Sequence, residues 1–177
     1  INEETGETVS LNGVDVPVVE RFPINLSKNE RFGFELNLSY RKGRKWNINS
    51  NFNVYSNKVE GSYNEFVFDN ESLSWSFRLN NKLTLPGKIE WQTRMNYRGP
   101  EETAITKRDG NFSVDLAFSK ELFNDNASLT FNVRDLLDQG GWKTETFNET
   151  FYNDSEFRWR ERSFTLNFTY RFNQKKN

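Results

Sequence analysis

Two acidic pairs are the first candidates for chemistry in this chain. Glu101 with Glu102, and Asp135 with Asp138, could bind a metal ion or act as a general acid and base. The chain has no His and no Cys, which removes the usual general base, the commonest metal ligand and any thiolate nucleophile. A Ser-His-Asp triad is therefore impossible. We predict that both pairs lie on solvated surface, and that the chain has no catalytic residue, metal site or cofactor.

A row of arginines is the second candidate. Arg158, Arg160 and Arg162 occupy alternate positions, so an extended strand would place them on one face. Guanidinium groups bind phosphate and carboxylate, and this row could therefore contact lipopolysaccharide or an acidic ligand at the rim of a barrel. The alternative is that the row simply lines a lumen or rim. The formal net charge is −1, which gives no electrostatic signal for nucleic acid as a partner.

The elements that must position these residues are β-strands. Apolar and polar residues alternate in seven separate runs, which is the pattern of a strand with one apolar face. Most runs have about nine to twelve residues, whereas strands of soluble proteins usually have about five or six. Strands of about 9 to 11 residues are the length that crosses a bilayer. The predicted strands cover residues 32–40, 46–54, 72–83, 89–97, 112–118, 129–133 and 163–172.

The connections between these runs alternate between short and long. The short ones, at 41–45, 84–88 and 124–126, are rich in Gly, Pro or Asn, as tight turns are. Long, polar and irregular connections are predicted at 60–70, 99–111 and 136–162. In an antiparallel meander all short turns then lie at one end and all long loops at the other. Outer-membrane barrels have this asymmetry.

Alternation alone does not say which way the apolar face points. An inward apolar face would make a soluble barrel or sandwich, and an outward one would contact lipid. Aromatic residues near strand ends favour lipid, because such residues form girdles at the membrane interface; we assign Tyr40, Trp46 and Trp91 to a girdle. We therefore predict an all-β fold, namely an antiparallel up-and-down transmembrane β-barrel meander of about seven long strands. Its predicted location is the outer membrane of a Gram-negative bacterium.

The last strand has a further feature. The segment 162–172 reads RSFTLNFTYRF and is similar to the C-terminal signal by which the barrel assembly machinery recognises its substrates. An unpaired strand with apolar outward positions can add to another sheet. The residues predicted to serve assembly and lipid contact are Phe164, Leu166, Phe168, Tyr170 and Phe172.

Three segments together resemble one family, the TonB-dependent outer-membrane receptors of the Bacteroidota type. They are residues 31–61 (RFGFELNLSYRKGRKWNINSNFNVYSNKVEG), 131–139 (FNVRDLLDQ) and 157–172 (FRWRERSFTLNFTYRF). The resemblance lies in the order and spacing of strands and covers the C-terminal part of such receptors. It implies a larger barrel with a plug in its lumen, driven by an energy-coupling protein to import a scarce nutrient. The implied partners are outer-membrane lipid and lipopolysaccharide, the assembly machinery, and the remaining strands and plug of the parent receptor.

Strand number predicts how the chain is organised. Residues 1–30 are expected to be an N-terminal extracellular loop segment or partial strand, 31–172 the transmembrane strands, and 173–177 a polar tail. Bacterial barrels have an even number of strands, so seven predict a C-terminal piece of a larger receptor. Pro17, Glu20 and Pro23 argue against an eighth membrane strand at 14–26. Two alternatives stay open: a complete eight-stranded barrel with a structural or adhesion role, and a soluble all-β carbohydrate-binding module with exposed aromatics.

Overall fold

The chain folds into β-strands joined by turns and bends. The computed structural model describes residues 2–21, 28–63, 66–67, 69–103, 105–147, 152–158 and 161–172. No helix in these ranges has the length and apolar character needed to cross a membrane. The strands are β1 (Asn2–Leu11), β2 (Val14–Arg21), β3 (Lys28–Lys42), β4 (Trp46–Glu60), β5 (Ser62–Tyr63), β6 (Phe66–Val67), β7 (Asn70–Leu85), β8 (Ile89–Arg98), β9 (Glu101–Glu102), β10 (Thr106–Arg108), β11 (Asn111–Leu122), β12 (Ala127–Arg134), β13 (Trp142–Phe147), β14 (Tyr152–Phe157) and β15 (Ser163–Tyr170).

One sheet contains the seven predicted strands. Its order is β15-β12-β11-β8-β7-β4-β3, and every neighbouring pair is antiparallel. Each long strand therefore pairs with the long strands before and after it in the chain, which is an up-and-down meander. This confirms the predicted fold class. β3 and β4 have 15 residues and β7 has 16, more than predicted, because their pairing continues past the apolar run to Lys28 opposite Glu60.

The short turns lie together at one end of this sheet, as predicted. Gly43 and Gly87 have φ of +57° and +78°, a left-handed conformation that glycine adopts without steric cost. Adjacent hairpins are joined at this end, where Thr84 N donates to the carbonyl oxygen of Lys45 at 2.7 Å. We call this the short-turn end, and the opposite one the long-loop end.

The long connections are more regular than predicted. Residues from two of them form a second sheet of order β14-β13-β10-β9, in which Thr106 lies opposite Thr146. Pairing between distant connections satisfies backbone N–H and C=O groups that would otherwise need water. Within each loop the runs of alternating apolar and polar residues are too short for the sequence to predict this pairing. A separate pair, β5 with β6, occupies the connection between β4 and β7.

The N-terminal residues form a hairpin of their own. β1 and β2 pair through a turn at Asn12 and Gly13, whose φ values are +53° and +82°. Asn-Gly is the favoured sequence for such a two-residue turn, because both positions need positive φ. This hairpin is a two-stranded sheet separate from the seven-stranded one. Residues 22–27 and the predicted tail at 173–177 lie outside the described residues, so the proposed division of the chain at residues 30 and 172 stays a prediction.

A close approach between β3 and β4 explains one glycine. Gly33 lies directly opposite Tyr55, and a Cβ added to Gly33 would be 2.5 Å from the Tyr55 Cβ. Tyr55 therefore covers the space that a side chain at position 33 would fill. The guanidinium of Arg31 lies over the same ring, with its Cζ 3.4 Å from the ring centroid.

The described part of the chain has almost no apolar core. Its buried apolar residues are Val114, Ala127 and Val133, which are small or medium in size. None of the large ones in the described residues is buried: they are half-buried, as Phe52 and Trp91 are, or exposed, as with Phe32 at 86% and Phe164 at 62%. A soluble sandwich buries its apolar face between two sheets, so this arrangement disfavours the soluble carbohydrate-binding module.

Candidate membrane surface and lumen

The seven-stranded sheet has one polar and one apolar face. A cavity of about 550 Å³ on the polar side is bordered by residues of six strands, including Asn49 on β4 and Thr165 on β15. The sheet therefore curls toward its polar face, which is concave, and its apolar face is convex. This is the arrangement of a barrel with a hydrated lumen and a lipid-facing exterior.

Charged residues on the convex face lie only near the strand ends. In the register of the seven strands, Lys42 and Lys120 lie at the short-turn end, and the long-loop end carries five more. Those five are Lys28, Glu30, Lys58, Glu60 and Glu71. Between these ends the described strands carry no charged side chain on the convex face. On β3 the stretch without an outward charge runs over residues 32–40. Its nine residues match the length of strand that crosses the hydrocarbon core.

The residues predicted for lipid contact and assembly lie on this convex face. Phe164, Leu166, Phe168 and Tyr170 are the outward residues of β15, each more than 40% exposed. Phe172, which follows the strand, is 81% exposed and packs against Tyr170 with ring centroids 4.7 Å apart. Their exposure fits the predicted contact with lipid. Their role in assembly stays a prediction.

The three predicted girdle aromatics lie toward the short-turn end of the convex face. Tyr40 contacts Trp46 edge to face at 5.5 Å between ring centroids. Trp46 and Trp91 both lie opposite Leu83, so they occupy one row across β4, β7 and β8. Trp46 Nε1 donates to Asn81 Oδ1 at 2.8 Å, and Trp91 stacks on Phe118 at 6.1 Å. Aromatic rings with a polar edge suit the membrane interface.

The last strand is fixed at the short-turn end by an ion pair. Arg171 donates to both carboxylate oxygens of Glu121, at 2.8 and 3.2 Å, and to the carbonyl oxygen of Asp125 at 2.7 Å. Because Glu121 belongs to β11, this contact crosses β12 and joins three strands.

One of the predicted acidic pairs is structural. Asp135 is only 6% exposed, and its carboxylate accepts hydrogen bonds from the backbone N–H groups of Gln139 and Gly140 at 3.2 and 2.6 Å. Asp138 Oδ1 accepts from Arg162 N at 2.9 Å. Both aspartates therefore organise the turn after β12. Glu101 lies 3.6 Å from Arg108 as an exposed ion pair, and the described residues contain no cluster of three or more acidic side chains that could hold a metal.

The predicted arginine row is partly described. Arg160 lies outside the described residues. Arg158 Nη2 donates to the carbonyl oxygen of Asp138 at 3.1 Å, and Arg162 Nη1 donates to that of Leu136 at 3.3 Å. Both side chains thus bind the turn that Asp135 organises. Whether this row also binds lipopolysaccharide or an acidic ligand stays a prediction.

The concave face holds charged residues that the sequence did not single out. Its register positions carry seven cations and four carboxylates. A second cavity of about 720 Å³ at the long-loop end is bordered by Arg31, Arg78, Arg98 and Arg108. The residues are tens of positions apart and belong to no motif, so only strand register brings them together. The sequence signal that was available is their even or odd position within each run, which places them on the polar face of the sheet.

Curvature, an apolar exterior without charge between the strand ends, and a polar interior define the class of protein: a transmembrane β-barrel. The family described as "Outer membrane protein beta-barrel family" matches residues 1–170, and the chain belongs to it. Its location is accordingly the outer membrane. No curated protein and no solved structure matches the chain.

Proposed function

We propose that this outer-membrane chain is the C-terminal strand segment of a TonB-dependent receptor. The receptor would import a scarce nutrient without catalysis, using energy transmitted from the inner membrane. The resemblance of segments 31–61, 131–139 and 157–172 to that receptor family supports the proposal. Its partners would be the remaining strands and plug, the assembly machinery, lipid and lipopolysaccharide.

One structural observation carries the proposal. The inner face of the sheet is open, with cavities of about 550 and 720 Å³ along it. An eight-stranded barrel has an interior just wide enough for its own side chains to fill. Open space along seven strands therefore favours a wide barrel, in which a plug and a passing solute find room.

The strand count can be tested on the chain itself. We expect residues 1–177, refolded alone in detergent, to give no compact species that migrates faster unheated than boiled on a gel. The full-length product of the gene, isolated from outer membranes, should give one. A protease-resistant, heat-modifiable monomer of residues 1–177 alone would favour the complete eight-stranded barrel instead.

Transport is tested in cells that carry the whole gene. We expect uptake of the limiting nutrient to require both this protein and the inner-membrane energy-coupling protein. A strain that lacks only the coupling protein is the control for passive diffusion. Uptake that persists without the coupling protein would contradict the receptor assignment.

A further inference from the structure

A cavity at the long-loop end of the concave face is rich in arginine. It is bordered by residues of β3, β4, β7 and β8 of the large sheet, of β11 beside them, and of β9, β10 and β13 of the loop sheet. Four guanidinium groups border it, from Arg31, Arg78, Arg98 and Arg108. Two carboxylates, Glu101 and Asp109, lie on the same border. The cavity is therefore positive in a chain whose formal net charge is −1.

Three of these cations have no carboxylate partner in the part of the chain that the structure describes. Among the described residues, no ion pair involves Arg31, Arg78 or Arg98. Arg31 lies over the Tyr55 ring, and Arg78 Nε donates to the neutral amide of Asn96 at 3.3 Å. Contact with an aromatic face or an amide holds a guanidinium in place and leaves its charge uncompensated.

The fourth cation is oriented by its neighbours. Arg108 lies 3.6 Å from Glu101 and above the Trp142 ring, with its Cζ 5.8 Å from the ring centroid. Trp142 in turn stacks on Phe157 at 5.5 Å between centroids. The pairing of β10 with β13 thus brings a cation to the outer side of the cavity.

The spacing of the cations indicates what they could bind. Arg98 lies opposite Ser76, which places it diagonally across from Arg78, a separation of about 7 to 8 Å. Arg31 on β3 lies three strands from Arg98 on β8, about 14 Å across the sheet at the usual strand spacing. Arg31 faces Asn57, which in turn faces Ser72, so Arg31 is also displaced by four residues, about 13 Å, along the strands from the level of Arg98. A single carboxylate cannot contact all of these groups, whereas a molecule with several anionic groups can contact two or more.

We infer that this cavity binds a multivalent anion, a small molecule that carries several carboxylate or phosphate groups. Guanidinium groups bind both kinds of oxyanion, often through two parallel hydrogen bonds. The inference rests on the proposed function in one respect: the bound anion would be the nutrient captured at the outer mouth of the lumen. Asn51, Asn53 and Asn96 on the same border add neutral donors and acceptors.

Binding is measured by titration calorimetry on the full-length protein, purified from outer membranes in detergent. Tripolyphosphate and citrate are the two anionic probes and distinguish phosphate from carboxylate; maltotriose is the neutral probe. We expect saturable binding of at least one anion, weakening as salt is added, and none of maltotriose. No binding of either anion, or equal binding of maltotriose, would overturn the inference.

Two variants locate the site. Arg98→Gln and Arg78→Gln should each weaken binding about tenfold, since a hydrogen bond to a charged group contributes roughly that factor. Arg41→Gln is the matched control, because Arg41 lies on the same face of β3 at the short-turn end and outside the cavity. Heat-modifiability checks that each variant is folded. If one of the two cavity variants fails to fold, the other alone still tests the site. Equal weakening by Arg41→Gln would contradict this site.

The two proposals can fail separately. Anion binding without any energy-dependent uptake would overturn the receptor assignment and leave the anion site standing. Energy-dependent uptake of a nutrient by a protein that binds neither anionic probe would overturn the anion site and leave the receptor assignment standing.

Discussion

Neighbouring residues of β15 face different environments on the two sides of the sheet. Phe168 lies on the convex face and is 59% exposed, while Asn167 borders the cavity on the concave face. One position along the strand thus separates lipid from water, because side chains alternate across a sheet. The effect of a substitution should depend on the parity of its position more than on its place along the strand.

Phe168→Arg tests this parity. A cation on the lipid face costs up to about 2 to 4 kcal/mol at the bilayer midplane, so we expect less protein in the outer membrane and a lower temperature of heat modification. Asn167→Arg is the matched control and should leave both nearly unchanged, since its side chain faces the lumen. Membrane levels are measured by immunoblot of isolated outer membranes. Equal levels for both variants would count against lipid exposure at Phe168.

Sequence predicted the faces of individual residues well and their groupings poorly. Alternation placed Phe164 and Phe168 on one face of the last strand because parity is a local property of one strand, and the aromatic residues near strand ends indicated that this face points outward. It did not identify the cluster of Arg31, Arg78 and Arg98, because that cluster depends on register between strands that are far apart in the chain. Register is set by the hydrophobic pattern and turn geometry of each neighbouring pair, and strands as far apart as β3 and β8 are related only through the registers of all the pairs between them.

Strands and turns that depend on local sequence could likewise be predicted, whereas a sheet that depends on pairing between distant segments could not. The seven long strands and three short turns could be predicted, since each has its own pattern of alternation or turn residues. The sheet of β9, β10, β13 and β14 could not, since β9 and β10 have only two and three residues. Its stability comes from pairing between two loops, and the turn after β12 positions one of them.

That turn depends on Asp135. Its carboxylate accepts two backbone N–H groups, and its own φ is +51°, a conformation that Asp and Asn tolerate better than Ala. Asp135→Ala would leave two donors without an acceptor, at about 1 to 3 kcal/mol, and should loosen the connection from 136 to 162. We expect faster cleavage there in limited proteolysis of the purified protein.

Asp135→Asn separates the hydrogen bonds from the charge. It keeps one carbonyl acceptor and the tolerance for positive φ, so cleavage should be only slightly faster than in the parent protein. Cleavage of Asp135→Ala at the parental rate would show that the loop sheet holds the turn without this side chain.

At the scale of the whole molecule, the two ends of the sheet differ. Short turns joined by ion pairs such as Lys88 with Asp125, 3.3 Å apart, occupy one end. Loops with strands of their own occupy the other, where Tyr152 lies beside Glu145, whose charge raises the pKa of the Tyr152 hydroxyl. In outer-membrane barrels the short turns are periplasmic and the long loops extracellular.

This orientation can be read directly, because the chain has no cysteine of its own. Asp154→Cys places a thiol on exposed β14, and Arg44→Cys places one in an exposed short turn. A membrane-impermeant maleimide should label Asp154→Cys in intact cells, and Arg44→Cys only after the outer membrane is permeabilised. The parent protein, with no thiol in this segment, gives the background. Because each strand reverses direction, the two positions fix all seven crossings at once, and labelling of Arg44→Cys in intact cells would invert the whole barrel.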